Sequence, residues 1–444
     1  MPSKDSHRHL KVPSGNETVI EANSPQFAEP SPSSDPIAFT VKHGSDKAAY
    51  TILDHLSGTL PPRAFPIVHG TAEPVLKLSQ AFGDKGDAIV AHIESAKQIV
   101  FHSVGDTGNT HGPRDEGLVA DKMVADFNDI DPRAVPSFLY HLGDVVYSFG
   151  ESQYYYDQFY EPYRNYPGPI FAIPGNHDGM VAPNSSTPTL SAFEKNFCTL
   201  GKDPHRTPEA GGLSRTAQVQ PGVYFTLEVP FARILGLYSN CLEDPGIISD
   251  EGGVCPYLGQ TQVDFLKAAL KRVAEEKFDG AVIVAVHHPP YVAQMSPGSG
   301  AGRHGGSPRM LKDIDSACEE SGVWPHAILS GHAHNYQRFT RHWNGRETPF
   351  IVNGNGGHAM NPLTQKGTPT IRVPVDQPSL SNGKDDITFE SYDDQDYGYL
   401  RLIVNKEQLR IEYHPAPDGA NAKTPDDSVT VDLETRTLVH FKTR

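Results

Sequence analysis

The sequence predicts an α/β domain in which helices flank two packed sheets. Three observations carry that prediction. From about residue 97 onward, short apolar runs alternate with segments of helical period. Each of those runs stops at or near a glycine, with a polar residue able to bind a metal close by. The composition supports a sizeable core, since 37% of the 444 residues are hydrophobic and 40 more are glycine.

Taken in chain order, residues 1–36 are rich in Pro, Ser, Asn and Glu and end in Glu29-Pro30-Ser31-Pro32-Ser33-Ser34-Asp35-Pro36. Such a stretch buries too little surface to offset the entropy of ordering, which predicts a flexible tail. Residues 37–96 are mixed, are interrupted by Pro61-Pro62 and Pro66, and read as an N-terminal extension with a helix near 75–82. The main domain spans 97–414. In it, 99–101 runs into Gly105-Asp106, 138–142 into Gly143-Asp144, and 170–173 into Gly175-Asn176-His177. Likewise 281–286 runs into His287-His288, and 327–329 into Gly331-His332-Ala333-His334. Each run suits a strand buried on both faces. Further strands are expected at 223–229, 233–238, 350–352, 399–404 and 408–413. Two helical stripes, Val263, Leu266, Ala269, Leu270, Val273 and Met310, Leu311, Ile314, Ala317, Cys318, read as ordinary core packing. Residues 415–444 read as a C-terminal extension, a β-hairpin or strap.

Charge and targeting narrow the partners. With 38 Lys and Arg against 54 Asp and Glu, the net charge of -16 repels a nucleic-acid polymer. No run of apolar residues is long enough for a transmembrane helix, so no membrane partner is expected. The N-terminus, Met1-Pro2-Ser3-Lys4-Asp5, lacks the apolar stretch of a signal peptide, which places the chain in the cytoplasm by default and leaves secretion open. The cysteines, at 198, 241, 255 and 318, form neither a disulfide framework nor a zinc ribbon. Cys241 and Cys255 bracket a loop; they either pair in an oxidising compartment or stay reduced. The count of 21 histidines is high and directs attention to metal chemistry.

In open α/β sheets, functional groups gather beyond the carboxyl ends of strands, where glycine lets the chain turn sharply. Asp106, Asp144, Asn176, His287, His332 and His334 are therefore the candidates to converge. Gly-Asp after a strand is a common turn, and each motif alone is weak. Their joint order is specific. Gly105-Asp106-Thr107-Gly108, Gly143-Asp144-Val145-Val146-Tyr147, Gly175-Asn176-His177-Asp178, Val284-Ala285-Val286-His287 and Gly331-His332-Ala333-His334 resemble the motifs of the calcineurin-like metallophosphoesterases. More narrowly the set resembles the purple acid phosphatases. The wider group usually begins Asp-x-His, whereas Gly108 stands here, and Tyr147 follows three residues after Asp144.

The resemblance implies a four-layer α/β/β/α metallophosphoesterase sandwich, two packed mixed sheets flanked by helices, with 97–414 as the catalytic domain. It implies two metal ions: Asp106, Tyr147 and His334 on the first, Asn176, His287 and His332 on the second, and Asp144 on both. A phenol ionises readily only beside strong positive charge. Tyrosinate and two carboxylates carry about -3, which a trivalent and a divalent ion convert to about +2 for a phosphate dianion. That argues for Fe(III) at the first position, with Zn, Mn or Fe(II) at the second.

The implied reaction is hydrolysis of phosphate monoesters by a metal-bound hydroxide, with a small phosphorylated substrate. His177 would assist the leaving group, Asp178 would orient His177, and His304 in the glycine-rich stretch 298–306 would be a second substrate-facing histidine. The same ligands would serve a phosphodiesterase or nucleotidase, because specificity lies in rim loops. A metal-binding scaffold without turnover is a third reading. His111 and Arg114 could reach substrate, and the loop Asn353-Gly354-Asn355-Gly356-Gly357-His358 resembles a family loop at the rim, but all three read first as solvated loop; His288 reads as a loop residue. The tyrosine-rich 153–166 reads as packing beneath the second motif. The oligomeric state is left open.

Overall fold

The computed structural model describes residues 73–109, 113–147, 149–150, 152–180, 188–198, 220–239, 246–250, 259–293, 304–363, 370–419 and 422–440. The predicted tail 1–36, most of the extension 37–96, and His111, Cys241 and Cys255 lie outside the described residues.

Two mixed sheets form the centre. The strands are β1 (Val75–Lys77), β2 (Ile99–Val104), β3 (Leu139–His141), β4 (Ile170–Ala172), β5 (Phe225–Val229), β6 (Ala232–Leu237), β7 (Ala281–Val286) and β8 (Ala327–Ser330). They continue with β9 (Tyr336–Trp343), β10 (Arg346–Asn353), β11 (Val375–Asp376), β12 (Asp386–Asp393), β13 (Gly398–Val404), β14 (Gln408–Pro415) and β15 (Asp427–Asp432). One sheet has nine strands in the order β1-β5-β6-β7-β8-β10-β9-β12-β11; the other has six in the order β15-β14-β13-β2-β3-β4. The strands that carry the motifs run parallel: β2 with β3, β3 with β4, and β7 with β8. Their carboxyl ends therefore open on one side of their sheets.

Side-chain alternation explains the layering. Along β7, Ala281, Ile283 and Ala285 belong to the core between the sheets, while Val282, Val284 and Val286 belong to the core beneath the helices. Successive side chains of a strand point to opposite faces, so a strand covered on both sides must be apolar throughout. Phe101, Tyr140 and Phe171 of one sheet share the inner core with Phe225, Ile234 and Leu329 of the other. The longer helices are α1 (Gly86–Ala96), α2 (Arg114–Ala125), α3 (Ser191–Phe197), α4 (Thr261–Glu275) and α5 (Pro308–Ser321). Val263, Leu266, Ala269, Leu270 and Val273 of α4 are all buried, as are Met310, Leu311, Ile314, Ala317 and Cys318 of α5. Burying each large side chain contributes roughly 1.5–3 kcal/mol. Helix α5 starts with the Ser307 hydroxyl accepting from the Met310 N–H and Pro308 in the first turn, and it ends at Gly322 with φ 72°.

Two segments differ from expectation. The stretch 75–82 is not one helix. Val75–Lys77 pairs in parallel with β5, and only Leu78–Ala81 is helical. Sheet pairing at an open edge outweighs the local helical pattern, so the described sheet begins before residue 97. At the other end, β15 pairs antiparallel with β14 as the outer strand of the six-stranded sheet, and Val431 bridges Leu438. Among the described residues, Cys198 and Cys318 are buried free thiols, and no helix is long and apolar enough to cross a membrane.

Candidate active site

The candidate residues sit where their strands end. Asp106 follows β2, Asp144 and Tyr147 follow β3, and Asn176 follows β4; His287 follows β7, and His332 and His334 follow β8. The turns are sharp. Asp106, Asp144 and His332 take left-handed backbone at φ 56°, 53° and 68°, at a cost of roughly 1–3 kcal/mol each. Packing is close as well, because a Cβ on Gly175 would lie 2.1 Å from the Asp144 Oδ1. Glycine there is what lets the carboxylate lie against the neighbouring turn.

These turns bring seven side chains together, none more than 1% exposed. The Tyr147 hydroxyl donates to Asp144 Oδ2 at 3.0 Å and Asp106 Oδ1 at 3.1 Å, and lies 3.3 Å from His334 Nε2. His334 Nε2 is 3.5 Å from Asp106 Oδ1. Asn176 Oδ1 lies 3.0 Å from both His287 Nε2 and His332 Nδ1. His287 Nε2 is 3.2 Å from Asp144 Oδ2, so that one oxygen touches both groups. Metal–ligand bonds near 2.1 Å imply ligand–ligand edges of about 2.8–3.6 Å, which these separations match. Asp106, Asp144 and His287 place ligand atoms within 4.8 Å of one another. Carboxylates, an amide oxygen, a phenol and imidazoles, all converging out of water, are a donor set that fits a cation.

The electrostatics agree. Burial, reinforced by the charge of Asp144, pushes the Asp106 carboxyl well above its ordinary range despite His287. Burial also opposes ionisation of Asp144, but His287 and His177 outweigh it and hold that carboxyl low. For His287, burial is outweighed by Asp144 and Asp106, which raise it to about 9. Tyr147 is pushed well above 10 by burial, Asp106 and Asp144, so its phenol keeps the proton until a cation compensates. His332 and His334 are held well below 6.5 by burial and neighbouring histidines, leaving them neutral, the form that ligates a metal.

Around this centre the structure places the remaining candidates. His177 is 2% exposed, its ring lies 4.3 Å from Tyr147, and its backbone N–H donates to Asp144 Oδ1 at 2.8 Å. For Asp178, expected to orient His177, the contacts seen are to backbone. Its carboxylate accepts from the backbone N–H groups of Gly175, Val145 and Val146 at 2.9–3.3 Å, tying the second and third motifs together. The His304 ring lies 4.8 Å from His332 and 5.1 Å from His334. His288 is buried; its Nδ1 meets the Ser239 hydroxyl at 2.8 Å and its ring packs on His332. Arg114 is exposed at the start of α2, and Tyr155, Tyr160, Tyr163 and Tyr166 are core residues.

The loop 353–358 corrects the solvated-loop reading, since Asn353, Asn355 and His358 are all buried. The His358 ring stacks on Tyr147 at 3.6 Å and 4°. His141 was not a candidate either. It accepts from the Gly143 N–H at Nδ1 and meets the Thr107 hydroxyl at 2.9 Å through Nε2, linking two motif turns. The glycine-rich Asn-Gly-Asn-Gly-Gly-His after a strand was the available signal for the first; nothing in the sequence marked the second.

The model of the calcineurin-like phosphoesterase family matches residues 103–336, more than half of the chain, and the chain belongs to that family. Members of the family hold a dinuclear metal site, and the ligand cluster above is the candidate for it here. The chain is also similar to the probable inactive purple acid phosphatase 9 of Arabidopsis thaliana, 24% identical over 311 residues. That match covers 64% of this chain and 42% of the relative, so the chain spans less than half of the relative's length. Among solved structures, GAP50, the anchor in the inner membrane complex of Plasmodium, is 15% identical with a TM-score of 0.48 over 77% of this chain and 91% of that one. A structure of PhoD is 13% identical with a TM-score of 0.46 over 77% and 71%. Likenesses this low add nothing to a fold already read from its own strands.

Proposed function

We propose that this chain is a dinuclear-metal phosphomonoesterase of the purple acid phosphatase type. The observation that carries the reading is the tyrosine. The Tyr147 hydroxyl lies within 3.3 Å of Asp106, Asp144 and His334. The position where the wider family places a histidine is Gly108, where a Cβ would sit 2.6 Å from the Val145 carbonyl oxygen. A phenol thus stands against the carboxylates, and the backbone around Gly108 leaves no room for an imidazole there.

Asp106, Tyr147 and His334 would hold Fe(III), and Asn176, His287 and His332 would hold Zn, Mn or Fe(II), with Asp144 shared. When bound, the ions supply a nucleophilic water near neutral pH and polarise the phosphoryl oxygens. The protein's own residues do the rest. Asp144 Oδ1 accepts from the His177 N–H, which holds the carboxylate toward the shared position. The His177 side chain, beside Tyr147, gives a proton to the departing alkoxide. His304, against His332 and His334, meets the outer phosphoryl oxygens.

The test is a visible spectrum with elemental analysis, followed by hydrolysis of an aryl phosphate monoester and of a bis-aryl diester. A broad band at about 500–600 nm, bleached in Tyr147→Phe, with faster monoester turnover, is expected. A colourless sample with two divalent ions and a preference for the diester would overturn the reading in favour of a phosphodiesterase or nucleotidase. Two bound metals with no turnover of either ester would overturn it in favour of an inactive scaffold.

A further inference from the structure

We infer that His358 is a positioning residue for Tyr147, holding the phenol in the orientation that brings its oxygen into the ligand ring. The inference rests on the reading of Tyr147 as a ligand and goes beyond it. One residue makes three attachments to the first two motifs. Its ring lies parallel to Tyr147, at 3.6 Å and 4°. Its Nδ1–H donates to the Gly108 carbonyl at 2.8 Å, which fixes the ring's rotation. Its backbone N–H donates to the Asp106 carbonyl at 3.0 Å.

The loop behind it is fastened to the same segment. The Gly105 N–H donates to the Asn353 carbonyl and the Gly356 N–H to the Gly105 carbonyl, both at 3.1 Å. Asn109 Nδ2 donates to the Gly357 carbonyl at 2.6 Å. A Cβ on Gly356 would lie 2.3 Å from the Gly105 oxygen, so the splice depends on glycine at that position. The imidazole is thus carried on a rigid support, 3.6 Å from the ring it covers.

The Tyr147 hydroxyl needs such support. Its neighbours at 3.0–3.3 Å, Asp144, Asp106 and His334, are themselves proposed ligands. All of them would be bound to the ions together with it, so the phenol's direction has to be set from its ring face. His358 supplies an aromatic surface there, beside the position where Gly108 leaves no side chain.

The experiment is a double-mutant cycle on full-length protein reconstituted with Fe(III) and Zn(II). His358→Ala, His358→Phe, Tyr147→Phe and the pair Tyr147→Phe with His358→Ala are compared. The readouts are the position of the visible band and the rate of metal release to excess chelator. His358→Ala is expected to displace the band and to speed release about tenfold. His358→Phe keeps a flat ring on Tyr147 and is expected to stay within about twofold of the parent with the band in place. In the Tyr147→Phe background, His358→Ala should change release no further. Equal acceleration in both backgrounds, or a Phe variant as impaired as the Ala variant, overturns the inference while leaving Tyr147 a ligand. If Tyr147→Phe changes neither colour nor release, the ligand reading falls and this inference falls with it.

Discussion

Every oxygen donor of the site stands on the six-stranded sheet, and every imidazole proposed as a ligand stands on the nine-stranded one. Asp106, Asp144, Tyr147 and Asn176 follow β2, β3 and β4; His287, His332 and His334 follow β7 and β8. One half brings anionic groups held by backbone N–H donors, and the other brings rings that burial keeps neutral, except His287. Neither half is a metal site alone. The site exists only at the seam, so the inner core of Phe101, Tyr140, Phe225 and Ile234 is a precondition of the chemistry. A hydrogen bond from the imidazole side to Asp106, the His332 N–H to Oδ2 at 2.8 Å, crosses that seam.

The most direct way to break this division is to neutralise the shared group. Asp144→Asn keeps a residue that tolerates the φ of 53° but removes the charge that serves both halves. Monoester turnover should fall by about a thousandfold or more, with metal content per chain reduced together at both positions. Retention of both ions would contradict the shared role.

His287→Gln cuts one half only. Turnover should drop about a hundredfold, and elemental analysis should find the ion bound through Asn176 and His332 depleted while the tyrosine-associated band persists. Loss of the band as well would show that the halves are not separable.

A smaller effect comes from protonation across the seam in metal-free protein. The His287 pKa is raised from 6.5 to about 9, chiefly by Asp144 and Asp106 against the opposing effect of burial. A raised pKa stabilises the fold fully below 6.5, and that contribution is lost as pH rises through about 9. The loss is about 3 kcal/mol at most, read as a falling urea midpoint in chelator-treated samples. His287→Gln should flatten the profile; an unchanged slope would place the titration elsewhere.

The smallest change is expected from Asp178→Asn. The carboxyl, raised to about 7 by burial and Asp144, accepts from backbone N–H donors. Asparagine keeps one acceptor oxygen but turns an amide NH2 toward the N–H donors of the other, so stability should fall by about 2 kcal/mol and turnover by less than about tenfold. A loss of a thousandfold with metals retained would restore Asp178 to a role in orienting His177.

How much of this could be read from the chain depends on what each residue answers to. Strands β2, β3, β4, β7 and β8 were legible because both faces are buried, which forces unbroken apolar runs. Strand β9 was not, because Arg338 and Arg341 interrupt it. Their charges are met by Asp427 on one side and by Asp315 and Asp385 on the other, partners 26–89 residues away in sequence. Of the site, the candidates at strand ends were visible because glycine turns advertise them. Asp178 hid its backbone contacts for the opposite reason. It adjoins His177 in sequence, but its carboxylate turns back toward Val145 and Val146. The rim loop that carries His358 was visible, but not the contact of His358 with Tyr147, which is far away in the chain and reached only through sheet topology.

The left-handed backbone at Asp106 and Asp144 has a consequence for how this chain can fail. Asparagine enters that region about as readily as aspartate, whereas most other residues resist it. The substitution that the fold tolerates best at these positions is therefore the one that removes the chemistry. A population of variants selected for expression and solubility alone would retain Asp-to-Asn changes there and accumulate well-folded, silent molecules. Selection for folding and selection for turnover are uncoupled at these two residues, and only a functional screen would tell them apart.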